Sequence, residues 1–208
     1  MLMNDDFLHP ADNFAMTQWT RLSDPSIFKK VPFGVYAFTG PMNNVPSKNV
    51  FPFMIEDTLY FGKSGNSYDD YFYDRKSFDP ETGKENFHMN SMVHMRIKSH
   101  KNNMRCRNKK FDKLEGSYQK FVDIYGFADD DLLEKMNVCV IVPKYPIPDF
   151  QVTSWSLLIE SYCILLYQQK FGKTTLMNVG HDPYKKVEGS YANNKKLEAK
   201  MNSLESYF

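Results

Sequence analysis

The 208-residue chain is 42% hydrophobic and 15% aromatic, which is enough to bury one sizeable core and sits at the upper end for a single ordinary domain. Its three cysteines, Cys106, Cys139 and Cys163, are odd in number and widely spaced. With no Cys-x-x-Cys pair they exclude a disulfide framework or a zinc ribbon and point to a reducing, intracellular (cytoplasmic) setting.

In chain order, residues 1–32 read as an N-terminal arm. The opening MLMNDDFLHP has two acids and no apolar h-region, so it is not expected to be a signal peptide. Ser23-Asp24-Pro25 offers a helix start or a turn, and Lys29-Lys30 lies just before the first strand. Phe33 to Thr39 alternates aromatic and β-branched residues, as a strand does. The Pro- and Asn-rich stretch that follows is a loop, and Thr58 to Gly62 is a second short strand, so the two form a hairpin with an enlarged connection.

Residues 68–87 read as irregular around the turn Asp79-Pro80-Glu81-Thr82-Gly83. Helical spacing resumes near Met89, with Met92, Met95 and Ile97 toward a core, and Gly116 to Tyr125 suits another short helix. Val138 to Val142 is a continuous apolar, β-branched run, the best central strand of the chain, ended by Pro143 to Pro148. From Thr153 or Ser154 as N-cap to Gly172 as stop runs the clearest helix, whose apolar face is Trp155, Leu158, Ile159, Tyr162, Leu165 and Leu166. It contains Glu160 and the apolar stretch is too short to span a bilayer, so no membrane association is expected. Residues 181–208 form a polar, Lys-rich extension.

The formal charge of +1 hides a local excess. Between Arg96 and Lys113 lie Lys98, Lys101, Arg105, Arg107, Lys109 and Lys110, making eight cations against the single acid Asp112. Such a block can neutralise several phosphates and make binding salt-dependent, or it can be a solvated helix face. Arg96-x-x-x-His100 puts a guanidinium and an imidazole on one helix face, within reach of one phosphate. Glu160 is an acid in a mostly apolar helix, a costly placement unless it faces a polar or metal-filled cleft. Two fragments, Gly62-Lys63-Ser64 and Gly172-Lys173-Thr174, imitate the end of a phosphate-binding loop, but Asp57 and Tyr167 stand where its first glycine belongs. His88, His94 and His100 recur every six residues, a spacing that suits no single metal-binding face.

The tripeptides Gly34-Val35-Tyr36 and Tyr60-Phe61-Gly62 end the two strand-like runs. Together they resemble the signature of the GIY-YIG nucleases, with Val and Phe at the two central positions and both tyrosines kept. Arg96, Glu160 and Asn178 then follow in the family's order, and the Arg96–His100 pair is similar to that of the family's restriction endonucleases. Either tripeptide alone would be weak in a chain with 13 tyrosines, since a strand tyrosine is usually a packing residue.

The resemblance implies an α/β (α+β) domain over residues 33–180: a small central antiparallel three-stranded sheet flanked by helices, with insertions at 40–58 and 65–89. It implies a Mg²⁺-dependent (or Mn²⁺-dependent) DNA endonuclease, of restriction type and sequence-specific on duplex DNA. In that scheme Glu160 holds the metal, Tyr36 is the general base, and Tyr60 binds the phosphate or the attacking water. Arg96 stabilises charge, His100 positions the nucleophile or shares the base role, and Asn178 braces the site. Lys63, which matches a common Lys or Ser of the family, touches phosphate or assists the base. Arg75 rivals Arg96 at a spacing closer to Tyr60. The basic segment and the insertions would supply DNA contacts, and cutting both strands of a palindrome favours a homodimer. A free-standing phage or homing endonuclease, or a non-cutting nucleic-acid-binding module, stands beside this reading.

Overall fold

The computed structural model describes residues 14–64, 77–78, 85–86, 93–105, 117–147 and 152–178. The elements are β1 (Phe14–Met16), β2 (Thr20–Arg21), β3 (Gly34–Thr39), β4 (Thr58–Ser64), β5 (Ser77–Phe78), β6 (Glu85–Asn86), α1 (Val93–Arg105), α2 (Ser117–Tyr125), α3 (Asp130–Lys135), β7 (Asn137–Pro143) and α4 (Val152–Phe171). Short 3-10 turns at Pro25–Lys30 and Pro52–Met54 precede β3 and β4. The first is capped by Asp24, whose carboxylate accepts from Ser26 N at 3.0 Å. Arg75, His88, Met89, Met92, Cys106, Arg107, Lys109, Lys110 and the 181–208 extension lie outside the described residues.

The architecture is α+β around an antiparallel sheet of five strands, not three. The β-branched run forms β7 and is central, as its lack of polar alternation requires. One edge of β7 pairs with β3 and the other with β1 and β2, which lie end to end along it. The stretch expected to be an arm therefore supplies two strands of the sheet. Trp19, buried between them, donates its indole N–H to Val50 O at 2.9 Å and so anchors the first insertion. Arg21 donates to the carbonyls of Met42 (3.0 Å), Asn43 (2.9 Å) and Lys135 (3.1 Å) and to Asn137 Oδ1 (3.1 Å), pinning the same insertion to the end of β7. A separate two-stranded ribbon, Ser77 opposite Asn86, lies within the second insertion.

Because successive strand residues face opposite ways, the sheet divides the core in two. Tyr36, Phe38, Val138 and Val140 pack toward α1, α2 and α3, with Ile97, Met104, Phe121 and Leu133. Val35, Ala37, Phe61, Cys139 and Ile141 pack toward α4, with Ile159, Cys163, Ile164 and Tyr167. In α1 the buried residues are Val93, His94, Ile97 and Met104, while Met95 is only half-buried. In α4, which starts at Val152, Leu158 faces outward at 39% exposure, and the sheet-facing stripe is Val152, Ile159, Cys163 and Tyr167. The helix is apolar nearly all round, so periodicity does not select a face. It ends where expected, at Gly172, whose positive φ of 66° lets its N–H close on Gln168 O at 2.8 Å. No described helix is long and apolar enough to cross a membrane.

Candidate active site

Tyr36 sits in mid-β3, opposite Gly62 of β4 and Val140 of β7, and is 2% exposed. Tyr60, half-buried, sits opposite Phe38. The two phenols share the face covered by α1, with ring centroids 6.1 Å apart. The glycines of the two tripeptides make this arrangement possible by what they lack. A Cβ at Gly62 would come 2.5 Å from Tyr60 Cε1 and 2.7 Å from two atoms of the Tyr36 ring. A Cβ at Gly34 would come 2.6 Å from Ile141 O and 2.8 Å from Val140 Cγ1, forcing β3 away from β7. Gly62 clears the floor under both tyrosine rings, and Gly34 lets β3, the strand of Tyr36, close on β7.

Helix α1 brings Arg96 and His100 to the same place, one turn apart. His100 Nε2 lies 2.8 Å from the Tyr36 hydroxyl, and its ring centroid is 4.9 Å from that of Tyr60 and 5.5 Å from that of Phe38. On its other side, Nδ1 lies 2.5 Å from the hydroxyl of Tyr118 in α2. Burial, and then the Arg96 charge, push the imidazole down to about 4, so it is neutral at physiological pH. Burial also drives the Tyr36 phenol well above its ordinary value; Tyr60 and Glu160 add to the rise, and Arg96 opposes it. Tyr60 is raised by burial first and then by Glu160 and Tyr118, against Arg96 and a hydrogen bond with Tyr36. The guanidinium of Arg96 and the carboxylate of Glu160 thus both act on the two phenols.

Glu160 is 3% exposed, in the middle of α4. The helix is tied along the edge strand: Ser156 Oγ donates to Ser64 O at 3.3 Å, and Tyr167 OH donates to Glu56 O at 2.6 Å. Ser156 and Ser161, like Glu160, are buried, so this is not a wet helix face. Among the described residues there is no group of three His, Cys, Asp or Glu able to cage a metal. Mg²⁺ in general keeps most of its waters and is held by one or two carboxylates, so the absence of such a group does not bear on it.

Asn178 braces the site from behind. Its Oδ1 accepts from Phe61 N at 2.7 Å and from Thr175 Oγ1 at 2.5 Å, while Nδ2 donates to Phe61 O at 2.7 Å. One side chain thereby satisfies both backbone groups of the residue between Tyr60 and Gly62. Lys63 pairs in register with Val35 and falls on the α4 face of the sheet, apart from the tyrosine rings. Of the cations expected to meet DNA, Lys98 is exposed, Lys101 donates to Ser23 O at 2.5 Å, and Arg105 is ion-paired with Asp130. Those two carry structural partners within the fold. Tyr118 carries no signal in the sequence: the stretch from Gly116 to Tyr125 suits a helix, but nothing marks which of its residues reaches the histidine.

The depressed His100 has a thermodynamic consequence. The unfolded chain takes up a proton near 6.5 and the folded chain only near 4, so the histidine's contribution to stability is present above 6.5 and drains away as pH falls toward 4. Allowing for the ring's partly exposed edge, the wild type should lose roughly 1–2 kcal/mol more than His100→Gln between pH 7 and pH 5. Urea unfolding of both proteins at the two pH values measures this, and equal losses would place the imidazole in an ordinary aqueous environment.

No protein-family model, no curated protein and no solved structure matches this chain.

Proposed function

We propose that this protein is a metal-dependent DNA endonuclease of the GIY-YIG type, cutting duplex DNA at specific sequences in the manner of a restriction enzyme. The observation that carries the proposal is the convergence of Tyr36, Tyr60 and His100, from two strands and α1, on one face of the sheet. The central contact is the 2.8 Å hydrogen bond between Tyr36 and His100, and charges on Arg96 and Glu160 act on both phenols.

Phosphodiester hydrolysis needs a deprotonated water, neutralisation of the charge that builds on the phosphoryl oxygens, and stabilisation of the departing 3′ oxygen. Tyr36 takes the proton of the attacking water as the phenolate, its own proton having passed to bulk solvent beforehand, and it needs cationic and hydrogen-bonding neighbours because burial otherwise keeps the phenol protonated. Arg96 supplies positive charge to both the phenolate and the phosphate. Neutral His100 fixes the Tyr36 oxygen. Tyr60, less buried than Tyr36, hydrogen-bonds the phosphate or the water. Glu160 is the residue that would hold Mg²⁺ or Mn²⁺, which supplies Lewis-acid stabilisation of the leaving oxygen when bound. Asn178 keeps the Tyr60–Gly62 segment in place. Two copies acting on a palindrome would cut both strands, and the buried free thiols of Cys139 and Cys163 suit a reducing compartment.

One observation favours a second reading. Tyr36 is almost wholly enclosed, which would suit a tyrosine that only packs, in a nucleic-acid-binding module that does not cut. Incubating the protein with plasmid and phage DNA in Mg²⁺, Mn²⁺ or EDTA separates the two. Discrete fragments that require the metal are the expected result. Salt-sensitive DNA binding without cleavage in either metal would replace the nuclease by the binding module.

A further inference from the structure

Helix α1 contains no acidic residue, and its positions divide around the axis into sides with different neighbours. His100 and, one turn before it, Arg96 take the side toward the tyrosines, while Val93, Ile97 and Met104 enter the core. Lys98, Ser99 and Asn102 are exposed on the outer face. A further side meets the 3-10 turn Pro25–Lys30 that precedes β3. Lys101 Nζ donates to Ser23 O at 2.5 Å, and Phe28 is buried in the same cluster as Val93 and Ile97, so the turn packs along α1. It ends in Lys29 and Lys30, both exposed, and Lys98, one turn before Lys101, borders it. The remaining charges of this region are already engaged. Arg105 is ion-paired with Asp130, and Asp24, the one acid of the turn, accepts from Ser26 N at 3.0 Å as its cap. Among the described residues none of Lys29, Lys30 and Lys98 is in an ion pair.

We propose that Lys29 and Lys30 of the turn, together with Lys98 of α1, form a phosphate-contacting surface that holds the DNA backbone beside the tyrosine site. The choice of DNA as the partner rests on the nuclease reading above. Lysines gathered on a rigid frame without acids repel one another, and a polyanion relieves that repulsion while releasing its own counterions. The dimensions agree: a helix 10–12 Å across spans about three phosphates of one DNA strand. A strand lying across the outer face of α1 can therefore meet these lysines on one side and Arg96 on the other, with Ser99 and Asn102 as neutral hydrogen-bonding groups between them. The cations that meet DNA are then drawn from two separate stretches of sequence, and Lys29-Lys30 lies outside the basic segment that composition singles out.

The salt dependence of DNA binding tests this without cleavage. Fluorescence anisotropy of a labelled duplex, titrated in EDTA over a series of sodium chloride concentrations, gives the slope of log affinity against log salt. Each lost phosphate contact lowers that slope by about 0.9, so Lys29→Gln/Lys30→Gln should reduce it by about two and Lys98→Gln by about one. The double variant should also bind about ten-fold or more weakly. Lys135→Gln/Lys170→Gln removes the same charge from exposed positions on α3 and α4 and should leave the slope as it is. An unchanged slope in Lys29→Gln/Lys30→Gln, or an equal fall in the control pair, overturns the surface, and so does a wild type whose DNA binding is indifferent to salt. The two readings fail separately. The expected slopes in a protein that cuts no DNA in Mg²⁺ or Mn²⁺ would remove the nuclease and keep the surface, whereas metal-dependent cleavage with unchanged slopes would remove the surface alone.

Discussion

Replacing Tyr36 by Phe should leave the protein folded and lower metal-dependent DNA cleavage by about a thousand-fold or more, a barrier increase of about 4 kcal/mol. The ring stays in its slot between Phe38, Tyr60 and His100, so the packing of the sheet against α1 is retained. What disappears is one oxygen, and with it the hydrogen bond at His100 Nε2. Leaving that nitrogen without its partner costs about 1–3 kcal/mol of stability, which a domain with two well-filled core clusters can absorb. Glu160→Gln, of the same size, should remove cleavage to a similar degree, because an amide is a poor Mg²⁺ ligand. It should also bring the Tyr36 and Tyr60 phenols down, since the carboxylate raises both. Single-turnover rates on a cleaved plasmid, beside circular dichroism and unfolding curves, measure these effects. Tyr36→Phe cutting within ten-fold of wild type would reduce the tyrosine to a packing residue and remove it from the mechanism.

The readable parts of this fold were those whose signal is local. Val138 to Val142 announced a central strand because only burial on both faces tolerates such a run, and Gly172 announced the end of α4 because few residues adopt its backbone conformation. Strands β1 and β2 were not readable. At three and two residues they have no periodicity of their own, and they exist because β7 offers an unfilled edge. Helix α3 carried a usable signal in Asp129, which caps it by accepting from Leu132 N at 2.8 Å, but the acidic run Asp129-Asp130-Asp131 also reads as a solvated loop. At the site, Tyr36, Tyr60, Arg96 and His100 were legible as types at spacings that strands and helices bring together. The contribution of Tyr118 was not, because it comes from a helix whose approach to α1 is decided by the apolar packing of Phe121 and Met104. The basic segment marks a different limit: composition counts charges, and it cannot see that Arg105 pairs with Asp130 or that Lys101 donates to the Ser23 carbonyl.

Gly62→Ala should be the most disruptive small substitution in the tyrosine strands. An added methyl meets Tyr60 Cε1 at 2.5 Å and the Tyr36 ring at 2.7 Å, closer than atoms in a packed core tolerate. Neither ring is free to retreat: Tyr36 is hydrogen-bonded to His100 and tilted against Phe38, and Tyr60 lies against the same imidazole. Overpacking of this kind costs typically 1–3 kcal/mol, and with three contacts to confined rings we expect about 3 kcal/mol, read as a shift of the urea midpoint. Cleavage should fall further than stability does, by about a hundred-fold, since displacing the base and its neighbour by a fraction of an ångström spoils their alignment on phosphate. Gly126→Ala is the control. Its Cβ meets nothing within 4 Å, although its φ of 73° strains any other residue, so it should cost about 1 kcal/mol and leave cleavage unchanged. If both alanine variants behave alike, Gly62 serves the backbone of β4 and not the two rings above it. If only Gly62→Ala loses activity, the glycine of the second tripeptide is there for the same reason as its tyrosine.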